Sequence, residues 1–260
     1  MNFAPPLRIT SRDNPLIKDL KRLAQDSGAY RKQGRVWIEG DHLCRAAHER
    51  GISPAMAVIT ESFWSAAESY RLQSPGKNIV IDQALMAHLS GLESPAPMAY
   101  VVNLPAQPIL QPDVPTIVLD RVQDAGNVGS ILRSAAAFGF AQVAAIKGTA
   151  LLWSPKVLRS GMGAHFALSL IEGIEPEDLA GLSVPMLVTS SHEGDYLHRS
   201  QLPWPCAWVM GHEGQGVGAE LAARADRSVR IAQPGGEESL NVAAAAAICM
   251  HASAASHQRP

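Results

Sequence analysis

WVMGHEGQGVGAEL, residues 208–221, decides how the second half of this chain folds. Trp208–Met210 read as a buried strand, and the glycines at 211, 214, 216 and 218 read as a loop that turns sharply before a helix. A glycine-rich turn leaving a strand is also how a dinucleotide-binding βαβ unit begins, with pyrophosphate on the helix N-terminus. Two features weigh against that here. Such a turn opens its domain, yet only 42 residues follow Gly218, room for one strand and one helix. Glu213 also sets a carboxylate among the glycines, where a phosphate would be repelled. The loop instead suits amine, hydroxyl or guanidinium partners, and it closes a domain.

Working outward, TIVLD (116–120), QVAAI (142–146), PMLVTSS (185–191), CAWVMG (206–211) and SVRIA (228–232) are continuous apolar strands separated by helical segments. That alternation predicts an α/β fold with a parallel sheet covered on both faces, and ligands at the loops beyond the strands' carboxyl ends. In one such loop, DRVQDAGNVGSILR (120–133), Asn127 is a candidate N-cap and Gly129 lies one helical turn before Arg133. The glycine lets a ligand approach backbone while the guanidinium grips an oxyanion or phosphate. In another, Pro234-Gly235-Gly236 allow a tight turn, Glu237 and Glu238 suit the positive end of a helix dipole, and Ser239 is a candidate cap. Asn241 then stands inside the first turn of an alanine-rich helix.

Upstream, PAQPILQPDVP (105–115) places four prolines in eleven residues and marks a boundary. The chain is therefore divided into a first domain at 1–106, a proline-rich linker at 107–115 and a second domain at 116–260. In the first part, Leu16, Ile17, Leu20 and Leu23 recur at helical spacing after Asp13 or Asn14 as cap. VWIEG (36–40) reads as a strand before a helix through HLCRAAHER (42–50). PAMAVIT, KNIVID and PMAYVVNL read as further strands, the first two with a helix between them.

Composition limits function. Apolar residues at 47% and charged residues at 18% are ordinary for a globular chain. Cys44, Cys206 and Cys249 have no C-x-x-C spacing and leave one over, which argues against a disulfide framework and a cysteine-based zinc site and suits a reducing cytoplasm. No leader pattern and no apolar run of about 18 residues stands out, so we expect a cytoplasmic protein with no membrane association and no metal. There is no G-x-S-x-G elbow, P-loop or H-E-x-x-H, and His42, His48, His192 and His198 are scattered. The net charge of −2 hides an asymmetry: Met1–Val36 carries +5 and the remainder −7. Lys18, Lys21, Arg22, Arg31 and Lys32 are candidates for a phosphate-contacting face, or form a solvated helix surface.

Taken together and in order, these loops resemble the three motifs of the SpoU (TrmH) family of SPOUT RNA methyltransferases, over residues 115–256. Its N-x-G-x-x-x-R corresponds to Asn127, Gly129 and Arg133, its G-x-E-x-x-G to Gly211, Glu213 and Gly216, and its S-L-N to Ser239, Leu240 and Asn241. SPKVLRSGMGAHF (154–166) is similar to the family's basic stretch between them, and the N-terminal part resembles a small L30e-like substrate-binding domain. The resemblance implies a deep C-terminal trefoil knot, an exception to the rule that chains are unknotted. It further implies S-adenosylmethionine (AdoMet) as cofactor, contacted by backbone at Gly211, Ile231 and Leu240, and a homodimer with shared active-site residues. The chain departs from the family at Asp124-Ala125, His212, Ile231-Ala232-Gln233 and Ala243-Ala244.

The implied reaction is methylation of a ribose 2'-hydroxyl, the group that separates RNA from DNA, in ribosomal RNA ahead of tRNA. An arginine keeps its proton up to pH of about 12, so Arg133 is expected to stabilise the developing alkoxide rather than act as base. Asn127, Glu213, Ser239 and Asn241 are expected to orient the reacting groups. The alternatives are a non-catalytic RNA-binding or ribosome-assembly factor and a Rossmann-type nucleotide enzyme.

Overall fold

The computed structural model describes residues 5–90, 92–190, 194–235 and 239–257. They fall into two compact units, Met1–Ala106 with Trp153–Phe166, and Gln107–Leu152 with Ala167–Pro260.

The first unit contains β1 (Pro6–Arg8), α1 (Pro15–Gln25), α2 (Ala29–Gln33), β2 (Arg35–Glu39), α3 (Asp41–Glu49), β3 (Met56–Thr60), α4 (Trp64–Ser69), β4 (Lys77–Ile81), α5 (Gln83–Ser90) and β5 (Met98–Asn103). Its five strands are ordered β1-β4-β3-β5-β2, with β5 antiparallel to both neighbours and the other pairs parallel. Asn14 caps α1 by accepting from Leu16 N at 2.9 Å, with Pro15 in the first turn where its missing N–H is harmless. Ile17, Leu20, Leu23 and Ala24 turn that helix's apolar face into the core. Lys18, Lys21 and Arg22, at i, i+3 and i+4, are left on its outer side.

The second unit holds β6 (Thr116–Leu119), α6 (Ala125–Ala137), β7 (Gln142–Ile146), β8 (Ser169–Ile174), β9 (Met186–Thr189), β10 (Asp195–Tyr196), β11 (Ala207–Met210), α8 (Ala219–Arg224), β12 (Arg227–Arg230) and α9 (Val242–His257). Helix α7 (Pro155–Gly161) lies in sequence between β7 and β8 but packs against β2 of the first unit. The seven strands run β10-β12-β9-β11-β6-β7-β8, and every pairing is parallel. Central strands β6, β7 and β11 are buried at every position, as a sheet covered on both faces requires.

Several local expectations change. Strands β1, β8 and β10 were not foreseen. Each lies at a sheet edge, where neighbouring backbone rather than an apolar run specifies the pairing. The proline-rich segment is pinned to the second unit. Gln142 Nε2 donates to Gln111 O at 2.7 Å, Gln111 N donates back to Gln142 Oε1 at 3.0 Å, and Leu110 packs on the core. Trp153–Phe166, placed by sequence inside the second domain, packs with the first unit. Asn127 is not the cap of α6; Asp124 is, its Oδ1 accepting from Asn127 N at 2.8 Å. Ser239 does not cap α9 either. Asn241 Oδ1 does so, accepting from Ala243 N at 2.9 Å and Ala244 N at 3.3 Å. Gly236, Glu237, Glu238 and His192 lie outside the described residues.

Candidate active site

Strands β6 and β11 are neighbours, but the chain leaves β6 for β7 on one side and leaves β11 for β12 on the other. The loops after them therefore flank a topological switch point, the crevice where open parallel sheets bind ligands. Asp120 N donates to Met210 O at 2.8 Å and continues the pairing to the mouth of that crevice.

The β11–α8 loop is closed on itself. His212 and Gly216 exchange backbone hydrogen bonds of 3.0 and 2.8 Å, and Gly216 takes φ +68°, the left-handed region that favours glycine. A Cβ on Gly211 would overlap the backbone of Gly216 and Val217, so only glycine fits there. His212 Nδ1 accepts from Gly214 N (3.0 Å) and Gln215 N (3.2 Å), which places the proton of the neutral ring on Nε2. The departure at His212 is thus a brace for the turn.

Two tethers join this loop to the one after β6. In the first, buried Asp120 accepts from Gly218 N at 2.6 Å and from Arg121 at 2.7 and 3.1 Å, while Arg121 Nη1 reaches Gln215 Oε1 at 3.3 Å. Burial raises the Asp120 pKa, but the bonds from Arg121 and Gly218 outweigh it and hold the carboxyl below its usual range. In the second tether, Glu213 Oε1 accepts from Asp124 N and Asn127 Nδ2, and Oε2 from Gln123 N, each at 3.1 Å. Burial alone would raise Glu213. The bonds from Asn127 and from backbone N–H groups dominate and lower it to about 2. Glu213 is therefore a permanent anion already committed to donors, which makes it a clasp and disqualifies it as a general base near neutral pH.

Asn127 extends the clasp, because its Oδ1 accepts from Asn241 Nδ2 at 3.0 Å. The chain Glu213–Asn127–Asn241 fixes each amide's orientation: Asn241 Oδ1 faces the N–H groups of α9, so its Nδ2 faces Asn127, whose own Nδ2 faces Glu213. All three motifs meet in one network.

Beside that network lies a pocket of about 650 Å³, lined by Gly211, Glu213, Ile231, Ser239, Leu240 and Asn241, among others. That volume lies in the range of sites for small molecules and cofactors. Met210, Val217 and Ala245 add apolar surface, while Thr189, Ser190 and Gln233 add polar groups. The Gln233 Oε1 atom is buried with no hydrogen-bond partner among the described residues. A buried unpaired acceptor is destabilising unless a ligand supplies the donor.

The expected site residues therefore divide. Gly211, Glu213, Ile231, Ser239, Leu240 and Asn241 line the pocket, and Asn127 is bonded to two of them. Arg133 is exposed on α6, does not line the pocket, and makes no ion pair or hydrogen bond with a described residue. In the first unit, Lys18 and Arg22 on α1 and Arg31 and Lys32 on α2 are exposed; Lys18 pairs with Asp13 at 3.0 Å. Lys21 is half-buried. Partial burial, followed by the charges of Lys21 and Arg12, depresses His88 of α5, so these basic groups stand near one another. Asp120, Arg121 and the bracing role of His212 were missed. An Asp-Arg pair at a strand end carries no periodic signal, and its partners lie about ninety residues away.

Among the described residues no group of three or more His, Cys, Asp or Glu could hold a metal ion, and no helix is long and apolar enough to cross a membrane. Residues 14–99 match the MRM3-like substrate binding domain, and residues 115–251 match the SpoU rRNA Methylase family. The chain is 29% identical over 248 residues to the 23S rRNA (guanosine(2553)-2'-O)-methyltransferase RlmP of Bacillus subtilis, spanning 94% of this chain and 98% of that one. It is 31% identical over 256 residues to an uncharacterized tRNA/rRNA methyltransferase of Synechocystis, spanning 94% and 92%. The AdoMet-bound rRNA methyltransferase of Sinorhizobium meliloti matches with a TM-score of 0.84 at 25% identity, over 98% of this chain and 99% of that one. With its three motifs joined at one crevice and the family's model spanning residues 115–251, the chain belongs to the SpoU rRNA Methylase family.

Proposed function

We propose that this protein is an AdoMet-dependent RNA 2'-O-ribose methyltransferase acting on ribosomal RNA. The observation that carries the proposal is the convergence of Gly211, Ile231 and Leu240 on one pocket whose rim holds the Glu213–Asn127–Asn241 network. The pocket's residues fit the cofactor. Apolar Ile231, Leu240 and Val217 can flank an adenosine, and Gln233 offers an unpaired acceptor to an amino group. The bound cofactor supplies an electrophilic methyl group on a sulfonium.

The chain's own residues do the rest. Glu213, held ionised, locks the β6–α6 and β11–α8 loops together, so that the pocket is formed before any ligand arrives. Asn127 and Asn241 sit between that lock and the start of α9 and fix the rim at which a ribose can be oriented. Arg133 donates to the oxygen that gains negative charge as the 2'-hydroxyl passes its proton to solvent water, a contribution of about 3 kcal/mol in sites of this kind.

Arg133 stands outside the pocket of its own chain, and we place it in the pocket of a second copy, which makes the homodimer the catalytic unit. Its exposure on α6 and the exposed Ile248 on α9, two helices that pack together, support that arrangement. The packing of α9 against α6 and β11, with Ile231, Gln233, Ser239, Leu240 and Asn241 lining the pocket, supports the knotted C-terminus expected of the family. The absence of a candidate membrane helix among the described residues and the bacterial relatives are consistent with action in the cytoplasm.

Replacing Arg133 with Ala tests the assignment. We expect methyl transfer to fall by about 100-fold or more while AdoMet affinity by calorimetry stays within about twofold. Undiminished turnover refutes the role of Arg133. A wild-type protein that binds RNA but not AdoMet refutes the enzyme and leaves an assembly factor. Mapping 2'-O-methyl groups in total RNA with and without the gene identifies the nucleotide.

A further inference from the structure

A second recess, of about 420 Å³, lies at the β10 edge of the same sheet, bounded by Gly194–Tyr196, Arg199–Gln201, Arg227 and Arg230. Among the described residues, three guanidinium groups line it with one carboxylate, Asp195. Arg227 Nη1 donates to Gln201 O and Arg230 Nε to Gly194 O, both at 2.9 Å. The Gln201 carbonyl orients Arg227 without neutralising it. Neither Arg199 nor Arg227 makes an ion pair with a described residue. Tyr196, 37% exposed, carries the Arg230 guanidinium 4.3 Å from its ring centroid and that of Arg199 at 5.7 Å. An exposed ring flanked by cations is a surface on which a base can stack while guanidinium forks take phosphate oxygens.

The recess has a defined place relative to the pocket. Arg230 lines the recess and Ile231, the next residue, lines the pocket, so the C-terminal end of β12 is the wall between them.

We propose that this arginine-tyrosine recess binds the phosphodiester backbone of the substrate RNA, a few nucleotides from the ribose presented at the pocket. The proposal rests on the RNA methyltransferase assignment and adds to it a contact on the catalytic unit, separate from the basic helices of the first unit. It accounts for Arg199 and Arg227, two cations beside the sheet edge that no described carboxylate pairs. An acidic protein segment is the competing occupant, and the place of the recess beside the pocket of an RNA methyltransferase favours nucleic acid.

The test uses full-length protein and an unmodified 23S ribosomal RNA transcript, with binding measured from about 50 to about 200 mM salt. The double substitution Arg199→Gln/Arg227→Gln is compared with wild type and with Lys147→Gln, which removes an exposed charge elsewhere on the unit. Loss of two phosphate contacts lowers the slope of log affinity against log salt by about 1.4–1.8. Lys147→Gln is expected to leave the slope unchanged, and AdoMet affinity should be equal in all three proteins. An unchanged slope in the double variant with RNA binding intact overturns the recess alone. Failure of the wild type to bind the transcript while binding AdoMet overturns the function on which it rests. Binding of poly-glutamate that competes with RNA and is lost in the double variant assigns the recess to a protein partner and overturns the proposal.

Discussion

Glu213→Gln, a change of nearly equal size and shape, should damage this protein as much as Glu213→Ala. Both carboxylate oxygens accept hydrogen bonds, Oε1 from Asp124 N and Asn127 Nδ2, Oε2 from Gln123 N. Whichever oxygen becomes an amide nitrogen, at least one donor then faces a donor. Three bonds on an exposed carboxylate, at about 0.5–1 kcal/mol each, place the clasp near 2 kcal/mol. Loss of the preformed loop should therefore weaken AdoMet about 10- to 30-fold by calorimetry in both variants. The pH dependence carries a sign. A carboxyl lowered from 4.5 to about 2 stabilises the folded loop fully above pH 4.5 and loses that contribution as the pH falls toward 2. Wild-type affinity should thus show no Glu213 titration from about pH 5 upward. If the Gln variant binds AdoMet like wild type, or a wild-type transition assignable to Glu213 falls between about pH 4 and 5, the clasp is wrong.

Gly211→Ala should abolish cofactor binding, since its Cβ meets the backbone of Gly216 and Val217; retained calorimetric affinity would show that the loop opens freely. Gln233→Met removes a buried unpaired oxygen, so the ligand-free protein should melt no lower than wild type while AdoMet affinity falls about tenfold; equal affinity excludes Gln233 as a ligand contact. Ser253→Ala strips the acceptor from Trp208 Nε1, a buried 2.9 Å bond, and should destabilise by about 1–3 kcal/mol in urea unfolding, with an unchanged midpoint counting against it. Neutralising Lys18, Lys21, Arg22, Arg31 and Lys32 together should flatten the salt dependence of RNA binding, and an unchanged slope returns α1 and α2 to a purely solvated role.

The parallel sheet was legible because β6, β7, β9 and β11 are uninterrupted apolar runs, which two-sided burial demands of a central strand. The edges were not. β10 has two residues, both exposed, and exists only because β12 pairs with it. Caps were misassigned by a few residues at two helices where polar side chains competed: Asp124 won over Asn127, and Asn241 over Ser239. In each case the displaced residue was left free for the pocket, since Asn127 bridges Glu213 and Asn241 while Ser239 lines the cavity. The motif spacing named Gly211, Glu213, Ser239, Leu240 and Asn241, which line the pocket, and Asn127, which is bonded to two of them. It could not reveal the Asp120–Arg121 tether, which depends on a contact with Gly218 that only the folded sheet brings within reach.

The loan of Trp153–Phe166 to the first unit means that the polypeptide passes between the two units three times rather than once. Severing the molecule at its prolines would part α7 from β2, the strand on which it packs. Any graft of a foreign recognition module onto this catalytic core must therefore transplant two stretches of gene together, and a library built on a single junction should yield insoluble chimaeras.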